Sequence, residues 1–250
     1  MWKWHWWLGI NDISNVLNSH FVNIGKRISE STNEGPYDHN QYLKGNYVSS
    51  LFFAPVSSAD VEEIILSLRN KPCNINRFST SVLKRIRRHV SHVQCHIINL
   101  SFRTCIFPDC LKFATVTPIP KCGDSINAGN DRPISVLPIF SEIFEKVVYK
   151  QLHTYFEQNN ILYEHQCDFR KHMSTVQALL NHMQFMYDSI DSGNFVISVF
   201  LDFKKVFDTV DHKIWLTNLH FNGIRGVSHE WLKSYLSEKN QITVIDGITS

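Results

Sequence analysis

The segment that most constrains the fold is a seven-residue run, Phe195 to Leu201, in which Ser198 is the only polar residue. Phe, Val and Ile dominate the run, as is typical of a strand buried on both faces. The run ends at a carboxylate, Asp202. A buried strand that delivers a carboxylate at its C-terminal end can hold a metal ion for phosphoryl transfer. The alternative is that Asp202 caps the following turn or helix.

The remaining pattern predicts a mixture of helices and strands without regular alternation. Helices are predicted over Asp12–Ser29, from Ser57 onward, and over Ser79–Cys105, Ser141–Gln158, a segment beginning at Ser174, Asp211–Phe221 and Ser228–Ser237. Further extended segments are predicted at Phe113–Ile119, Arg132–Pro138 and Gln241–Ile245. Ser57 with Asp60, and Ser174 with Gln177, have the spacing of capping boxes. The helix after Ser174 carries an apolar stripe that we expect to be buried: Val176, Leu179, Leu180, Met183, Tyr187 and Ile190.

The composition indicates a folded globular chain, with 43% hydrophobic and 19% charged residues among 250. The six cysteines form no Cys-x-x-Cys pair. Together with the lack of a secretory signal, they favour a reducing, intracellular location, in the nucleus or the cytoplasm. The tryptophan-rich start, Met1 to Trp7, is too short and too polar for a signal peptide or a membrane span.

Positive charge is concentrated in one part of the chain. The net charge of the whole sequence is +2, whereas residues 71–121 contain nine basic residues and one acid, a net charge of +8. Four of these cations, which are candidate nucleic-acid contacts, are Lys84, Arg85, Arg87 and Arg88. A local basic field suits a polyanion, although a solvated helix face can have the same composition.

Six segments match one family in order: Ala114–Lys121, Asp131–Ser135, Gln166–Thr175, Phe200–His212, Gly223–Gly226 and Trp231–Leu236. Together they resemble the reverse transcriptase of non-long-terminal-repeat (LINE-type) retrotransposons of the jockey-like kind. The resemblance extends from about Asn11 to the end of the sequence and is most specific between Ala114 and Leu236.

The resemblance implies an α+β fold, an incomplete right-hand polymerase with fingers and part of the palm, preceded by a helical extension. Residues 1–54 would form a tail, a helix and a linker, and residues 55–110 a basic helical extension. Residues 111–190 would form the fingers-like region, and residues 191–250 a partial palm.

The implied activity is RNA-directed DNA synthesis with an RNA template, a DNA primer, deoxynucleoside triphosphates and Mg²⁺. Two cations activate the primer hydroxyl and stabilise the leaving pyrophosphate in such chemistry. By resemblance, Asp202 is the first metal carboxylate, and the backbone carbonyl of Phe203 is a second oxygen ligand. Phe207 matches the bulky residue that would block a ribose 2′-hydroxyl.

The resemblance also assigns cations to the nucleotide. Lys121 and Arg132 match finger residues that contact the incoming triphosphate, where positive charge offsets phosphate charge. Arg170 matches a residue that contacts template or nucleotide. Asp208 and Asp211 are interpreted as structural: one would stabilise the turn and the other would cap the following helix.

Several positions depart from the family pattern. Glycine is usual at the positions of Asp168 and His172, arginine at Met173, an aromatic residue at Asp131 and alanine at Val206. A glycine replaced by another residue loses easy access to positive φ or to a close backbone approach. We therefore expect weaker template binding than is usual for the family.

The 250 residues contain no Asp-Asp pair and stop before the family's Gly-x-Pro-Gln-Gly loop and aromatic-x-Asp-Asp turn. Because one carboxylate cannot hold two Mg²⁺ ions in catalytic geometry, little or no polymerase activity is expected from this fragment alone. One alternative is a nucleic-acid-binding or interaction module without catalysis. Another is a product that folds poorly and exposes a sheet edge and apolar strand faces.

Overall fold

The computed structural model describes residues 9–31, 38, 41, 43, 49–70, 79–120, 128–203, 205–245 and 247–250. The helices are α1 Ile10–Val22, α2 Ile24–Ser31, α3 Ser58–Ser67, α4 Thr80–Thr104, α5 Ile139–Gln158, α6 Thr175–Asp191, α7 His212–Phe221 and α8 Gly226–Leu236. The strands are β1 Phe113–Pro120, β2 Asp131–Val136, β3 Asn240–Ile245 and β4 Ile248–Thr249. The predicted α+β class is confirmed. One compact unit comprises residues 1–152 and 207–250, and a second comprises residues 153–206.

The first unit contains a four-stranded mixed sheet in the order β2-β1-β3-β4. β1 pairs with β2 in antiparallel fashion and with β3 in parallel, so that Val116 lies opposite Ser135 on one side and Thr243 on the other. β3 and β4 pair in antiparallel fashion. The extended segments predicted at 113–119, 132–138 and 241–245 are therefore confirmed as the three longer strands.

Helix α1 contacts the sheet and buries its apolar stripe. Asn18 accepts hydrogen bonds from Gln241 Nε2 at 3.3 Å and from Thr243 Oγ1 at 3.2 Å, which fix the helix to β3. Val16 lies outside this stripe and is 48% exposed. The buried cluster between the helices and the sheet consists of Ile13, Leu17, Phe21, Ile24, Val116 and Ile245.

The single helix predicted over 12–29 is divided at Asn23. The side chain of Asn23 donates to the carbonyl of Ser19 at 2.8 Å, which terminates α1. A Cβ atom at Gly25 would collide with the backbone carbonyl of Asp208. Glycine at this position therefore lets the start of α2 approach the chain just before α7.

The helical layer of the first unit is centred on Trp231, which is 1% exposed. Its indole Nε1 donates to Ser101 Oγ at 2.8 Å, so the polar atom is satisfied inside the core. Its ring lies edge-on to Phe53, Phe102 and Phe107, with centroid distances of 5.5, 5.6 and 5.5 Å. Trp231 thus connects α8, α4 and two connecting segments.

An extended segment, residues 51–56, is fixed to the helices by side-chain amides. Gln151 accepts from the backbone N–H of Ala54 at 2.8 Å and donates to its carbonyl at 3.1 Å. Asn99 accepts from the N–H of Val56 at 2.9 Å and donates to its carbonyl at 2.9 Å. These two amides satisfy backbone groups that a neighbouring strand would otherwise pair.

Local capping signals are largely confirmed. Asp60 N–H donates to Ser57 Oγ at 3.2 Å and Ser57 N–H donates to Asp60 Oδ2 at 2.9 Å, which completes the box at α3. The hydrogen bonds from Ser57 lower the pKa of the Asp60 carboxyl below its ordinary value. At α6, Gln177 N–H donates to Ser174 Oγ at 3.2 Å, whereas the Gln177 side chain donates to Asn181 instead.

The second unit does not bury the residues that the sequence pattern placed inside. None of the α6 side chains is buried; Leu179 is 57% and Leu180 54% exposed. The prediction of a strand at 195–201 is wrong, because this segment has no regular secondary structure. Its side chains are also not buried: Phe195 is 101% and Phe200 83% exposed. A strand buried on both faces needs paired neighbours and covering layers, and none of the described strands pairs with this segment.

No described helix combines the length and the apolar character that crossing a bilayer requires.

The Trp231 contact predicts a matched series of stabilities. Trp231→Ala should lower the free energy of unfolding by about 3–5 kcal/mol, because it leaves a large cavity. Ser101→Ala should lower it by about 1–3 kcal/mol, because the buried indole N–H loses its acceptor. Val93→Ala, at a 58% exposed position on the same helix, should change it by less than about 0.5 kcal/mol. Urea unfolding followed by circular dichroism measures all three; equal effects for Ser101 and Val93 would contradict the role of the hydrogen bond.

Candidate functional site

Asp202 and Phe203 lie in the irregular segment that follows α6, and both are exposed. The contacts that position the segment come from His182 on α6. Its Nε2 atom is 3.2 Å from Ser198 Oγ, and its ring lies edge-on to Phe200 at a centroid distance of 5.8 Å. The carboxylate of Asp202 and the backbone carbonyl of Phe203 are thus adjacent in the chain and open to solvent.

The acids that follow Asp202 have different roles. Asp211 Oδ1 accepts from the N–H groups of Lys213 at 2.6 Å and Ile214 at 3.3 Å, which confirms its predicted role as the cap of α7. Asp208 ends the short 3-10 helix Val206–Asp208. Within that turn, Phe207 is 79% exposed and contributes little to the core.

Asp202 and Phe203 offer oxygen ligands of the kind that Mg²⁺ prefers. Mg²⁺ is often bound by one or two carboxylates together with water and substrate phosphates, so these donors fit such an ion chemically. Among the described residues, no group of three or more His, Cys, Asp or Glu side chains is arranged to hold a metal. A metal at Asp202 would therefore take most of its ligands from water and substrate.

Of the two cations assigned to a triphosphate, the structure describes Arg132. Arg132 lies on β2 opposite Ile119 and is exposed. Lys121 lies outside the described residues.

Arg170 fixes the connection that follows α5. Its Nη2 is 3.2 Å from Glu157 Oε2, and its Nη1 donates to the carbonyl of Tyr163 at 3.1 Å. The side chain is only 16% exposed. These contacts orient the turn; a contact of Arg170 with template or nucleotide stays a prediction.

The turn where the family usually has glycines contains left-handed backbone. His172 has φ of 65° and Phe169 has φ of 58°. Positive φ therefore occurs at His172, one of the two positions where the family usually has glycine, whereas near Asp168 it occurs at the next residue, Phe169. Asp168 stabilises this turn, because its Oδ1 accepts from the N–H of Phe169 at 2.9 Å.

The basic residues of α4 separate onto two sides of the helix. Arg87 faces α3, where its Nε is 3.8 Å from Glu62 Oε2, and its Nη1 donates to the carbonyl of Lys84 at 2.9 Å. Arg85 and Arg88 are exposed. Arg103 was not predicted as a nucleic-acid contact, although its spacing from Arg85 and Arg88 places it on the same helix face.

A second group of charges is structural. Tyr235 Oη donates to Glu145 Oε1 at 2.6 Å, and the Lys239 Nζ lies 3.6 Å from the centre of the Tyr235 ring. Burial, with the negative charge of Glu145, raises the pKa of Tyr235 far above its ordinary value. Burial also lowers the pKa of Lys239, against the opposing effect of Glu145. These contacts join α5, α8 and the start of β3.

Comparison with known proteins identifies one family. Residues 119–248 match the model of the reverse transcriptase (RNA-dependent DNA polymerase) family. The probable RNA-directed DNA polymerase from transposon BS of Drosophila melanogaster is 27% identical over 163 residues, covering 63% of this chain and 18% of the relative.

Two further relatives from Drosophila melanogaster are similar. The probable RNA-directed DNA polymerase from transposon X-element is 29% identical over 63% of this chain and 18% of the relative. The RNA-directed DNA polymerase from mobile element jockey is 23% identical over 84% of this chain and 23% of the relative. The chain thus spans about a fifth of the length of the curated relatives it matches.

The positive φ of His172 predicts that a glycine is favourable there. His172→Gly should raise the free energy of unfolding by up to about 1 kcal/mol, because the left-handed conformation costs a side-chain-bearing residue about 1–2 kcal/mol. Met173→Gly, next to it at an ordinary φ, should lower it by about 0.5 kcal/mol. Denaturant unfolding of both variants measures the difference. If His172→Gly destabilises as much as Met173→Gly, the strain at His172 is not relieved by glycine.

Proposed function

Since the chain belongs to the reverse transcriptase (RNA-dependent DNA polymerase) family, in its jockey-like LINE branch, we propose that it forms the nucleotide-binding part of an RNA-directed DNA polymerase. The observation that carries this proposal is the family match over residues 119–248. This range contains the candidate residues Lys121, Arg132, Arg170, Asp202 and Phe207. The partners proposed for the complete polymerase are an RNA template, a DNA primer and deoxynucleoside triphosphates.

In this proposal, residues 111–190 are the fingers-like region and residues 191–250 are part of the palm. Residues 1–54 and 55–110 form the tail and the basic helical extension. The packing of α1 on β3, of α3 on α4 and of α4 on α8 is consistent with an extension that belongs to the same folded body as the sheet.

We assign Asp202 and the backbone carbonyl of Phe203 as oxygen ligands of Mg²⁺, because both are open to solvent. An ion held by these oxygens would supply the charge that activates a primer hydroxyl and stabilises pyrophosphate. Arg132 and Lys121 hold the triphosphate, and the exposed ring of Phe207 excludes a 2′-hydroxyl. The side chains of Asp202, Arg132 and Phe207 are exposed, which leaves them accessible to a metal ion or a nucleotide.

The exposed apolar run at 195–201 bears on the same proposal. Large aromatic and β-branched side chains are costly to leave in water. We propose that this run becomes a palm strand when it is paired with polymerase sequence of the kind that makes the relatives more than about three times as long as this chain. That pairing would also fix the position of Asp202.

Nucleotide binding tests the assignment of Arg132. With the 250-residue chain and Mg²⁺, Arg132→Ala should weaken binding of fluorescent dTTP by at least about ten-fold, because a charge-assisted contact to phosphate contributes about 1.5–3 kcal/mol. Arg27→Ala removes the same charge from an exposed position of α2 and should change the affinity less than about two-fold. Equal affinities of the two variants would exclude Arg132 from the triphosphate site.

Primer extension tests the activity of this chain alone. On an RNA template with an annealed DNA primer, dNTPs and Mg²⁺, the purified chain should give no measurable synthesis, because Asp202 by itself cannot hold two metal ions. A full-length polymerase from a jockey-like element is the positive control. Robust synthesis by the 250-residue chain would show that it holds a complete catalytic centre.

A further inference from the structure

A cavity of about 650 Å³ lies in the first unit, between the segment 51–56, helix α4 and the start of α8. Its volume is in the range of sites that bind small molecules. All but one of its lining residues precede the region that matches the family, the exception being Val227. The cavity is therefore separate in sequence from the residues assigned to the polymerase site.

One wall of the cavity is aromatic. The rings of Phe53 and Phe102 stack with a centroid distance of 4.9 Å and an interplanar angle of 30°. The backbone of Phe53 is fixed because its N–H donates to Ser228 Oγ at 3.1 Å. Phe53 is half-buried, so part of its surface is left to contact a ligand in the cavity. A fixed aromatic wall of this kind is a platform on which a planar ring can stack.

The rim of the cavity carries cations and potential cations. His92, His96 and Arg103 all line it, and each is exposed on α4. Among the described residues, none of the three has a hydrogen-bonding or ion-pairing partner, and no Asp or Glu lines the cavity. An anionic ligand can therefore approach these three side chains without displacing a carboxylate of the protein.

The same face of α4 continues beyond the cavity. Arg85 and Arg88 precede His92 by seven and four residues, which places them on its side of the helix. The distance from Arg85 to Arg103 along the helix axis is about 27 Å at about 1.5 Å per residue. This arrangement gives a line of positive groups that leads into an aromatic cavity.

We propose that this cavity is a binding site for a nucleotide of single-stranded RNA, with the base against Phe53 and its phosphate at Arg103 and His96. The neighbouring phosphates of the strand lie along Arg88 and Arg85. An acidic peptide would satisfy the cations, but it lacks the planar ring that the aromatic wall accommodates. The combination of stacking surface and unpaired cations is the one that single-stranded nucleic acids use.

Fluorescence anisotropy with a short labelled oligouridylate tests the charged rim in the 250-residue chain. Arg103→Ala should weaken binding by about ten-fold, because a phosphate loses a charge-assisted hydrogen bond. Arg69→Ala is the matched control, since it removes an exposed arginine outside α4 and should change the affinity less than about two-fold. Thermal unfolding confirms that both variants fold. An equal effect of the two substitutions would overturn the proposal.

Cys95 gives a local measurement of occupancy, because it is half-buried and lines the cavity. Uridine monophosphate and the oligouridylate should both slow its alkylation, measured by mass spectrometry, whereas inorganic phosphate at the same concentration should not. The exposed Cys110 is the internal control and should react at an unchanged rate.

Equal protection by phosphate and uridine monophosphate would show that no base is bound, and unchanged alkylation with every ligand would show that the cavity is empty. Either result overturns the proposal. Protection by the oligouridylate but not by uridine monophosphate would also overturn it, because a strand lying outside the cavity gives that pattern. Since the measurement involves no DNA synthesis and no dTTP, its failure would leave the proposed polymerase role untouched.

Discussion

The buried hydrogen bond from Trp231 to Ser101 holds the first unit together. It joins α8 to α4 in the interior, where an unsatisfied indole N–H would cost about 1–3 kcal/mol. Two aromatic residues that contact Trp231 connect this core to the sheet and to the cavity. Phe107 packs on Trp231, and its N–H donates to Ser234 Oγ at 3.0 Å, so the chain enters β1 from a fixed point. Phe53, on the other side, forms the wall of the cavity. The sheet and the cavity therefore depend on one packed core.

The same packing decides which cations are available. Helix α4 buries one side against α3, and there Arg87 lies beside Glu62. The opposite side, which includes Arg88 and Arg103, faces solvent with no partner among the described residues. The positive charge of α4 is thus not spread evenly around the helix. Fold and electrostatics together leave positive groups on the face that borders an aromatic cavity.

Sequence patterns predicted the parts of the fold that depend on neighbours in the chain. The caps at Ser57 and Asp211 follow from residues two or three positions away, and the structure confirms them. The apolar run ending at Leu201 has equally strong propensity, yet its burial depends on strands and layers that are distant in sequence. The cavity was not predictable for the same reason, because Phe53 and Arg103 are 50 positions apart and meet only through packing.

The irregular conformation of the segment before Asp202 affects how this carboxylate binds a metal ion. A metal ligand is effective when its oxygen is held in place before the ion arrives. Around Asp202, the contacts that we observe are made by His182 to Ser198 and to the ring of Phe200, with no strand ladder to fix the backbone. Ordering such a segment costs about 1–2 kcal/mol per residue, which must come from the binding of metal, triphosphate or a pairing strand. The affinity of the Asp202 carboxylate for a metal ion therefore depends mainly on the free energy of ordering the segment that precedes it.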